Sequence, residues 1–182
     1  MPSSEPPPLR IVDYDPAWPH RAASAITALR SATPGLFVDL EHIGSTAVPG
    51  LAAKPVIDLM AAVRTLPEVH PHEPALAALG FLPHDNGMTD RLLYARTDIG
   101  ARSHILHVVT YDSWPTRNQR ILRDYLRAHP AEAARYAELK RAVVAAGTHP
   151  RDYASAKTAL VQELTDRARA ELGMSSVPVW EK

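Results

Sequence analysis

One short segment of the sequence combines residue types that handle phosphate groups. Gly44 lets the backbone approach a ligand closely, Ser45 and Thr46 supply hydroxyl groups, and a short helix after them would offer N–H groups to an anion. Lys54 adds a positive charge, and Asp58, the lone acid in an apolar run, could hold a divalent cation against phosphate oxygens. The same residues also suit an ordinary strand-to-helix turn, and Asp58 could equally pair with Lys54 or an arginine.

Three histidines are candidates for acid–base chemistry. His104 and His107 are three positions apart in a predicted strand, so alternation sends them to opposite faces and they cannot chelate one metal ion. We expect His107 to share a cleft with Asp58 and to act there as a base or a phosphate contact. His42, just before the glycine–serine turn, is a second candidate base. For each of these side chains, a hydrogen-bonded structural histidine is the competing interpretation.

Basic residues in two regions could contact an anion. Arg96 and Arg102 flank a predicted hairpin, where either could clamp a phosphate or carboxylate or be a solvated edge-strand charge. The cations of the C-terminal third alternate with acids, a pattern typical of solvated helix faces, although one or two could close over a nucleotide. They are Arg117, Arg120, Arg123, Arg127, Arg135, Lys140, Arg141 and Lys157.

Periodicity predicts the elements that position these residues. We expect strands at 36–43, 55–63, 91–97 and 103–111, and helices at 17–31, 67–79, 116–128, 131–146 and 151–172. A short helix is also expected near Pro49. This is an α+β organisation: a loose tail at 1–8, a core at 9–112, a C-terminal helical part of the same domain at 113–172, and a tail at 173–182.

Composition excludes several classes of function. The 182 residues contain no cysteine, which rules out disulfides, thiolate zinc sites, iron–sulfur clusters and a cysteine nucleophile. The 20 basic and 20 acidic residues balance, so a broad nucleic-acid-binding surface is not expected. With no long apolar run and no secretory signal pattern, we expect a cytoplasmic protein without a membrane partner. The oligomeric state is left open.

Several motifs together resemble the GrpB family, whose fold is similar to that of the nucleotidyltransferase superfamily. The motifs are Tyr14–Trp18, His42–Leu51, Lys54–Asp58, His104–Val108, Arg123–Arg127 and Tyr136–Lys140. The resemblance covers residues 9–172 and implies a nucleotidyltransferase-like mixed β-sheet with flanking helices and a C-terminal helical segment.

The resemblance implies that a nucleotidyl group passes from an NTP such as ATP to a small-molecule acceptor, or that ATP activates the acceptor, with Mg²⁺ as cofactor. Gly44 and Ser45 match the superfamily's phosphate turn, and Asp58 matches one metal-binding acid. The partner acid of an Asp-x-Asp pair would stand two positions before or after Asp58. The sequence has Val56 and Met60 there, so the partner acid is missing.

His107 stands where a third carboxylate is expected, and Glu41 could compensate as a second metal ligand. One Mg²⁺ held by Asp58 and substrate phosphates would need fewer acids. Two alternatives follow: a non-catalytic nucleotide-binding or regulatory module, since relatives are joined to dephospho-coenzyme A kinase, or a metal-independent transferase with a histidine base.

Overall fold

The structure, a computed structural model, describes residues 9–85 and 87–179. Its strands are β1 (Asp39–Ile43), β2 (Ile57–Val63), β3 (Leu82–Pro83), β4 (Leu92–Asp98) and β5 (Ala101–Thr110). Its α-helices are α1 (Trp18–Ala32), α2 (Glu73–Ala78), α3 (Asn118–Ala128), α4 (Pro130–Ala145) and α5 (Tyr153–Glu171). The predicted tail at residues 1–8 lies outside the described residues.

The five strands form one mixed sheet in the order β1-β2-β5-β4-β3. The central pair, β2 and β5, is parallel, and the other neighbours are antiparallel. Residues 64–100 connect β2 to β5 and include α2, β3 and β4. Strand β4, which forms a hairpin with β5, lies on the side of β5 away from β2. The predicted α+β fold with a mixed sheet is confirmed.

Alternation along β2 separates the two faces of the sheet. Leu59, Ala61 and Val63 pack with α1 and α2 in the largest apolar cluster. On the other face, Met60 packs with Trp114 in a small cluster. Both faces are covered, which explains the nearly continuous apolar sequence of this strand.

The C-terminal helices cover the second face of the sheet. α3, α4 and α5 pack around a separate apolar cluster, which also takes in Val48, Leu51 and Ala52 from the connection between β1 and β2. The chain that follows the Gly–Ser turn (residues 44–46) therefore packs into the helical layer, which is formed by α3, α4 and α5. This arrangement places the turn where the two layers meet.

Most predicted elements are present, with shifted ends. The predicted strand at 36–43 begins only at Asp39, and the predicted helix at 67–79 is a 3₁₀ segment, Leu66–His72, followed by the six-residue α2. Pro71 lies inside that segment, and its missing N–H prevents a continuous α-helix. The two-residue β3 was not predicted, because it is too short to show alternation.

One prediction near the chemistry-bearing segment needs correction. No helix begins at Pro49: a three-residue 3₁₀ turn, Ser45–Ala47, precedes it, and Pro49 itself lies in a turn. The predicted tail at 173–182 is described as far as residue 179. There Gln162 of α5 donates to the carbonyl of Val177 and accepts from the N–H of Val179, which holds the segment against the helix.

Among the described residues, no helix has the length and apolar character needed to cross a membrane.

Candidate functional site

A cleft of about 660 Å³ lies between the second face of the sheet and the C-terminal helices. Its floor comes from the end of β1, the start of β2 and the middle of β5, and its walls come from α3, α4, α5 and the 84–91 connection. Of the candidate site residues, the cleft is lined by Gly44, Ser45, Asp58, Arg102 and His107. Residues far apart in the sequence therefore form one surface.

Gly44 lies directly against the Asp58 carboxylate. Register pairs Ile43 with Asp58 across β1 and β2, and the chain turns at Gly44 with φ 73° and ψ −174°. A Cβ added at Gly44 would lie 2.6 Å from Asp58 Oδ2. Residues with a side chain rarely adopt this backbone conformation, and Asp58 leaves no space for a Cβ. Only glycine therefore suits this position.

Lys140 of α4 reaches the turn from the helical layer. Its Nζ donates a hydrogen bond of 3.0 Å to Ser45 Oγ, and it lies 4.4 Å from the centroid of the Tyr136 ring. The residue is 1% exposed. Sequence reasoning assigned Lys140 to a solvated face, but it falls in the buried stripe of α4 with Ala133, Tyr136 and Ala137. That stripe was the signal that could have identified it.

A second lysine approaches from α5. Lys157 lines the cleft, is 8% exposed and donates to the hydroxyl of Tyr136 at 3.3 Å. Its Nζ also lies 4.6 Å from the centroid of the Tyr153 ring. Aromatic faces attract cations, so the two tyrosines hold this ammonium group at the cleft wall. Lysines from α4 and α5 thus converge on one tyrosine beside the turn.

Asp58 and His107 lie next to each other in the cleft. Across β2 and β5, Asp58 is paired with Ile105, and Met60 is paired with His107. Asp58 and His107 are each two positions from the other's partner, so their side chains lie on the same face of the sheet. His107 Nε2 lies 3.9 Å from Asp58 Oδ1. The His107 Nδ1 is buried and has no hydrogen-bond partner within the described part of the chain.

The structure places His104 on the opposite face from His107, as alternation predicted. His104 is buried beneath α1, with its Nδ1 2.9 Å from Ser103 Oγ and its ring edge-on to Phe81. Burial lowers the pKa of His104 to about 4, so its imidazole is neutral near pH 7. His104 therefore has the features of a structural histidine.

Glu41 lies on the cleft face of β1, but arginines bind both of its oxygens. Arg120 donates to Oε1 at 3.0 Å and to Oε2 at 3.1 Å, and Arg123 donates to Oε2 at 2.6 Å. Burial alone would raise the pKa of Glu41, but the arginine hydrogen bonds and charges outweigh it and hold the pKa below its ordinary value. Glu41 thus joins β1 to α3.

Four other candidate residues do not line the cleft. His42 is bonded through Nε2 to Thr46 Oγ1 at 2.8 Å, and Thr46 Oγ1 also donates to the Val56 carbonyl, so both side chains brace the turn from behind. Burial lowers the pKa of His42 to about 4. Arg96 lies on the α1 side of the sheet with His104 and pairs with Asp98.

Lys54 is exposed but is close enough to Asp58 and Arg102 to interact with their charges. Although the side chain as a whole is exposed, partial desolvation of its ammonium group by nearby protein atoms contributes most to lowering the pKa of Lys54, and the Arg102 charge lowers it further. Arg102 itself lies in the cleft, with Nη2 3.3 Å from His84 Nε2. Lys54 therefore contributes to the electrostatic surroundings of the cleft without lining it.

The residues present do not fit a two-metal centre. Residues 9–85 and 87–179 contain no group of three or more histidine, aspartate or glutamate side chains that could hold a metal ion. Met60, two positions after Asp58, is 0% exposed and lies in an apolar cluster, and both Glu41 oxygens are bound to arginine. The metal roles of Asp58 and Glu41 remain predictions from the family resemblance.

Comparison with known proteins assigns the chain to a family. The model of the GrpB protein family matches residues 8–167. A UPF0157 protein of Pseudomonas aeruginosa is 35% identical over 174 residues, which cover 89% of this chain and 68% of that protein. The chain belongs to the GrpB family. A GrpB protein from Enterococcus faecalis has a similar structure, with a TM-score of 0.83, 28% identity, and coverage of 90% of this chain and 99% of that chain.

Two further similarities extend beyond GrpB proteins. Terminal uridylyl transferase 4 from Trypanosoma brucei, with bound dUTP, shares the fold at a TM-score of 0.56 and 13% identity, covering 93% of this chain and 64% of that chain. A dephospho-CoA kinase of Mycolicibacterium paratuberculosis is 29% identical over 161 residues, which cover 74% of this chain but 39% of the kinase. The GrpB chain thus corresponds to less than half of that kinase.

Proposed function

We propose that the cleft binds the polyphosphate chain of a nucleoside triphosphate such as ATP at the Gly–Ser turn. The observation that carries this proposal is the 3.0 Å hydrogen bond from Lys140 Nζ to Ser45 Oγ. This bond joins the buried Lys140 ammonium group to the Ser45 hydroxyl, next to the position where the backbone turns at Gly44, which has no side chain. Hydroxyls and ammonium groups are strong phosphate partners when a rigid scaffold holds them in place.

The size and lining of the cleft also suit a nucleotide. Its volume, about 660 Å³, is within the ordinary range for small-molecule sites. Leu93, Leu122 and Val161 give its walls apolar surface on which a base and sugar could pack. The phosphate chain would lie near Ser45 and Lys157, with the rest of the molecule toward α3.

The reaction that we propose is nucleotidyl transfer to a small-molecule acceptor. An acceptor hydroxyl oxygen attacks the α-phosphorus, the bond from that phosphorus to the bridging oxygen breaks, and pyrophosphate leaves with the bond's electron pair. His107, beside Asp58, takes the proton of the hydroxyl. This class of reaction is inferred by analogy from the fold shared with a uridylyl transferase.

A second candidate is a nucleotide-binding module without catalysis. The buried Met60 favours it, because it leaves apolar surface where the superfamily pattern has a second acid. The similarity to part of a dephospho-CoA kinase makes a coenzyme A-linked regulatory role one form of this candidate. Measurement of pyrophosphate release separates the two candidates, since only the transferase would produce it from NTP and an acceptor.

Binding is tested by calorimetric titration of the protein with ATP, the other NTPs and inorganic triphosphate. We expect binding to the wild type, and affinity about tenfold or more weaker in Lys140→Met, since the variant loses the buried positive charge that bonds Ser45 Oγ and attracts the phosphates. Arg141→Met is the matched control, because it removes an exposed cation from the same helix. Absence of binding by every compound, in a protein whose circular dichroism is native, would refute the proposal.

A further inference from the structure

We infer that this cleft binds polyphosphate without a divalent cation, its own side chains supplying the positive charge. The inference rests on the proposed function and goes beyond it, since enzymes of phosphoryl-group chemistry ordinarily bind nucleotides as magnesium complexes. Three features of the cleft support it: the supply of metal ligands, the balance of charges, and the surroundings of Asp58.

Asp58 is the one carboxylate of the described cleft lining that is not bound to an arginine. The other acid of the lining, Asp90, accepts from the guanidinium groups of Arg91 and Arg117, and its pKa is lowered to about 2. Its burial raises the pKa, but the two arginines outweigh that effect. Glu41, beside the cleft, is likewise bound by two arginines. A magnesium ion would thus find one protein carboxylate.

Cations exceed acids in the same lining. The described lining has five cationic and two acidic side chains, and Lys140 lies next to it at Ser45. Three of these cations are ion-paired, Arg91 and Arg117 with Asp90, and Arg123 with Glu41 and Asp124 beside the lining. Arg102 forms no ion pair with any carboxylate of the described residues, its Nη2 lying instead 3.3 Å from His84 Nε2. Low-dielectric walls strengthen the field of such a charge set at the cleft floor. The lining therefore matches a highly charged anion.

The state of the nucleotide follows from this balance. A free nucleoside triphosphate carries more negative charge than its magnesium complex, so it gains more from an electropositive cleft. Added metal ions would instead place further positive charge beside Arg102 and Lys157. We therefore expect ATP to bind in EDTA at least as tightly as it binds in Mg²⁺.

Substitution of Asp58 tests the inference, because the direction of its effect on ATP affinity depends on whether a metal ion takes part in binding. Its carboxylate packs against Gly44 and has His107 Nε2 3.9 Å away. If phosphate binds without a metal, the Asp58 charge repels it, and Asp58→Asn tightens binding about threefold or more. If a magnesium ion joins Asp58 to the phosphates, the same substitution removes a metal ligand and weakens binding. Asparagine keeps the shape of the side chain, which favours retention of the fold.

The experiment titrates wild-type protein, Asp58→Asn and Glu138→Gln with ATP, each in EDTA and in excess Mg²⁺, by calorimetry. Glu138→Gln is the matched control, because it removes one negative charge from an exposed position of α4 outside the cleft lining. Equal or tighter binding in EDTA, with tightening in Asp58→Asn alone, is the expected result.

Other outcomes overturn different parts of the proposal. Binding that requires Mg²⁺ and is weakened by Asp58→Asn would overturn the inference and leave the proposed function in place. If neither ATP nor inorganic triphosphate bound under either condition, the proposed function would fail, and the inference with it. Lys157→Met provides a further check, since it should weaken binding in EDTA and in Mg²⁺ alike.

Discussion

Gly44 has two separate reasons to be glycine. Its backbone angles lie in a region that is nearly reserved for glycine, and Asp58 fills the space where a Cβ would be. Gly50, a few residues later, also has a positive φ, but no atom lies within 4 Å of the position of its Cβ. The pair therefore separates the cost of backbone strain from the cost of the close contact.

We expect Gly44→Ala to lower the free energy of unfolding by about 2–4 kcal/mol, and Gly50→Ala by about 1–2 kcal/mol, since only the first adds a clash to the strain. Urea denaturation followed by circular dichroism measures both. Equal losses in the two variants would show that Asp58 moves aside at little cost.

The half-buried His42 and the buried His104 predict an acid-sensitive fold. Burial lowers the pKa of His42 and of His104 to about 4, below the ordinary value of 6.5. The unfolded chain therefore binds protons at these residues before the folded chain does, and stability is greatest above pH 6.5 and declines as the pH falls toward 4. The decline from pH 7 to pH 5 should be about 1–2 kcal/mol for each histidine.

Urea denaturation at pH 7, 6 and 5 measures this decline. His42→Gln, which can keep a hydrogen bond to Thr46, should flatten the pH dependence because the titrating group is gone. An unchanged slope in that variant would mean that another group titrates over this range.

At the scale of elements, β1 and α3 are joined by one carboxylate. Glu41 binds Arg120 and Arg123, and Arg123 also donates to the His42 carbonyl. Because Arg123 is buried, loss of Glu41 leaves its charge compensated only by the exposed Asp124, to which its Nε donates at 2.8 Å. The Glu41 carboxylate therefore links β1 of the sheet to α3 of the helical layer.

Glu41→Gln should therefore destabilise the fold by about 2–3 kcal/mol, less than a fully buried pair because the carboxylate is partly exposed. The control, Glu163→Gln, breaks exposed ion pairs of α4 and α5 with Arg135 and Arg167 and should stay close to wild type. Thermal denaturation compares the two. A larger loss in Glu163→Gln than in Glu41→Gln would contradict this assignment.

At the scale of the whole molecule, the two layers share their connections. The chain after the Gly–Ser turn packs into the cluster of the helical layer, and the Glu41 contacts hold α3 on the sheet. Elements that share a core and a buried polar contact unfold together in small proteins. We therefore treat residues 9–112 and 113–172 as parts of one cooperative unit.

One transition is expected when tryptophan fluorescence and far-ultraviolet circular dichroism are followed in the same urea titration. Trp18 reports on the core beneath α1. Trp114 packs on the second face of the sheet, with the Arg120 guanidinium of α3 over its ring, and reports on the contact between the two layers. A Trp180→Phe background limits the fluorescence to these two residues. Midpoints that differ between the two probes would show that the layers unfold separately.

Local sequence patterns predicted the elements well and the site only in part. Alternation correctly put His104 and His107 on opposite faces, because the period of two is a property of the strand itself. Helices α1, α3, α4 and α5 were predicted within two residues of both ends, because their apolar spacing is regular. The helix predicted at 67–79 failed because proline overrides a weak pattern.

The sequence by itself determined that a glycine–serine turn precedes an apolar strand with one acid, and that thiol chemistry is impossible. These properties depend on residue type and on neighbours along the chain. Only the tertiary structure decided which charges belong to the cleft. Lys140 forms a hydrogen bond with Ser45, 95 positions earlier in the sequence, and Glu41 forms hydrogen bonds with two arginines about 80 positions later. No local pattern encodes such pairs, because they depend on how the helical layer packs against the sheet.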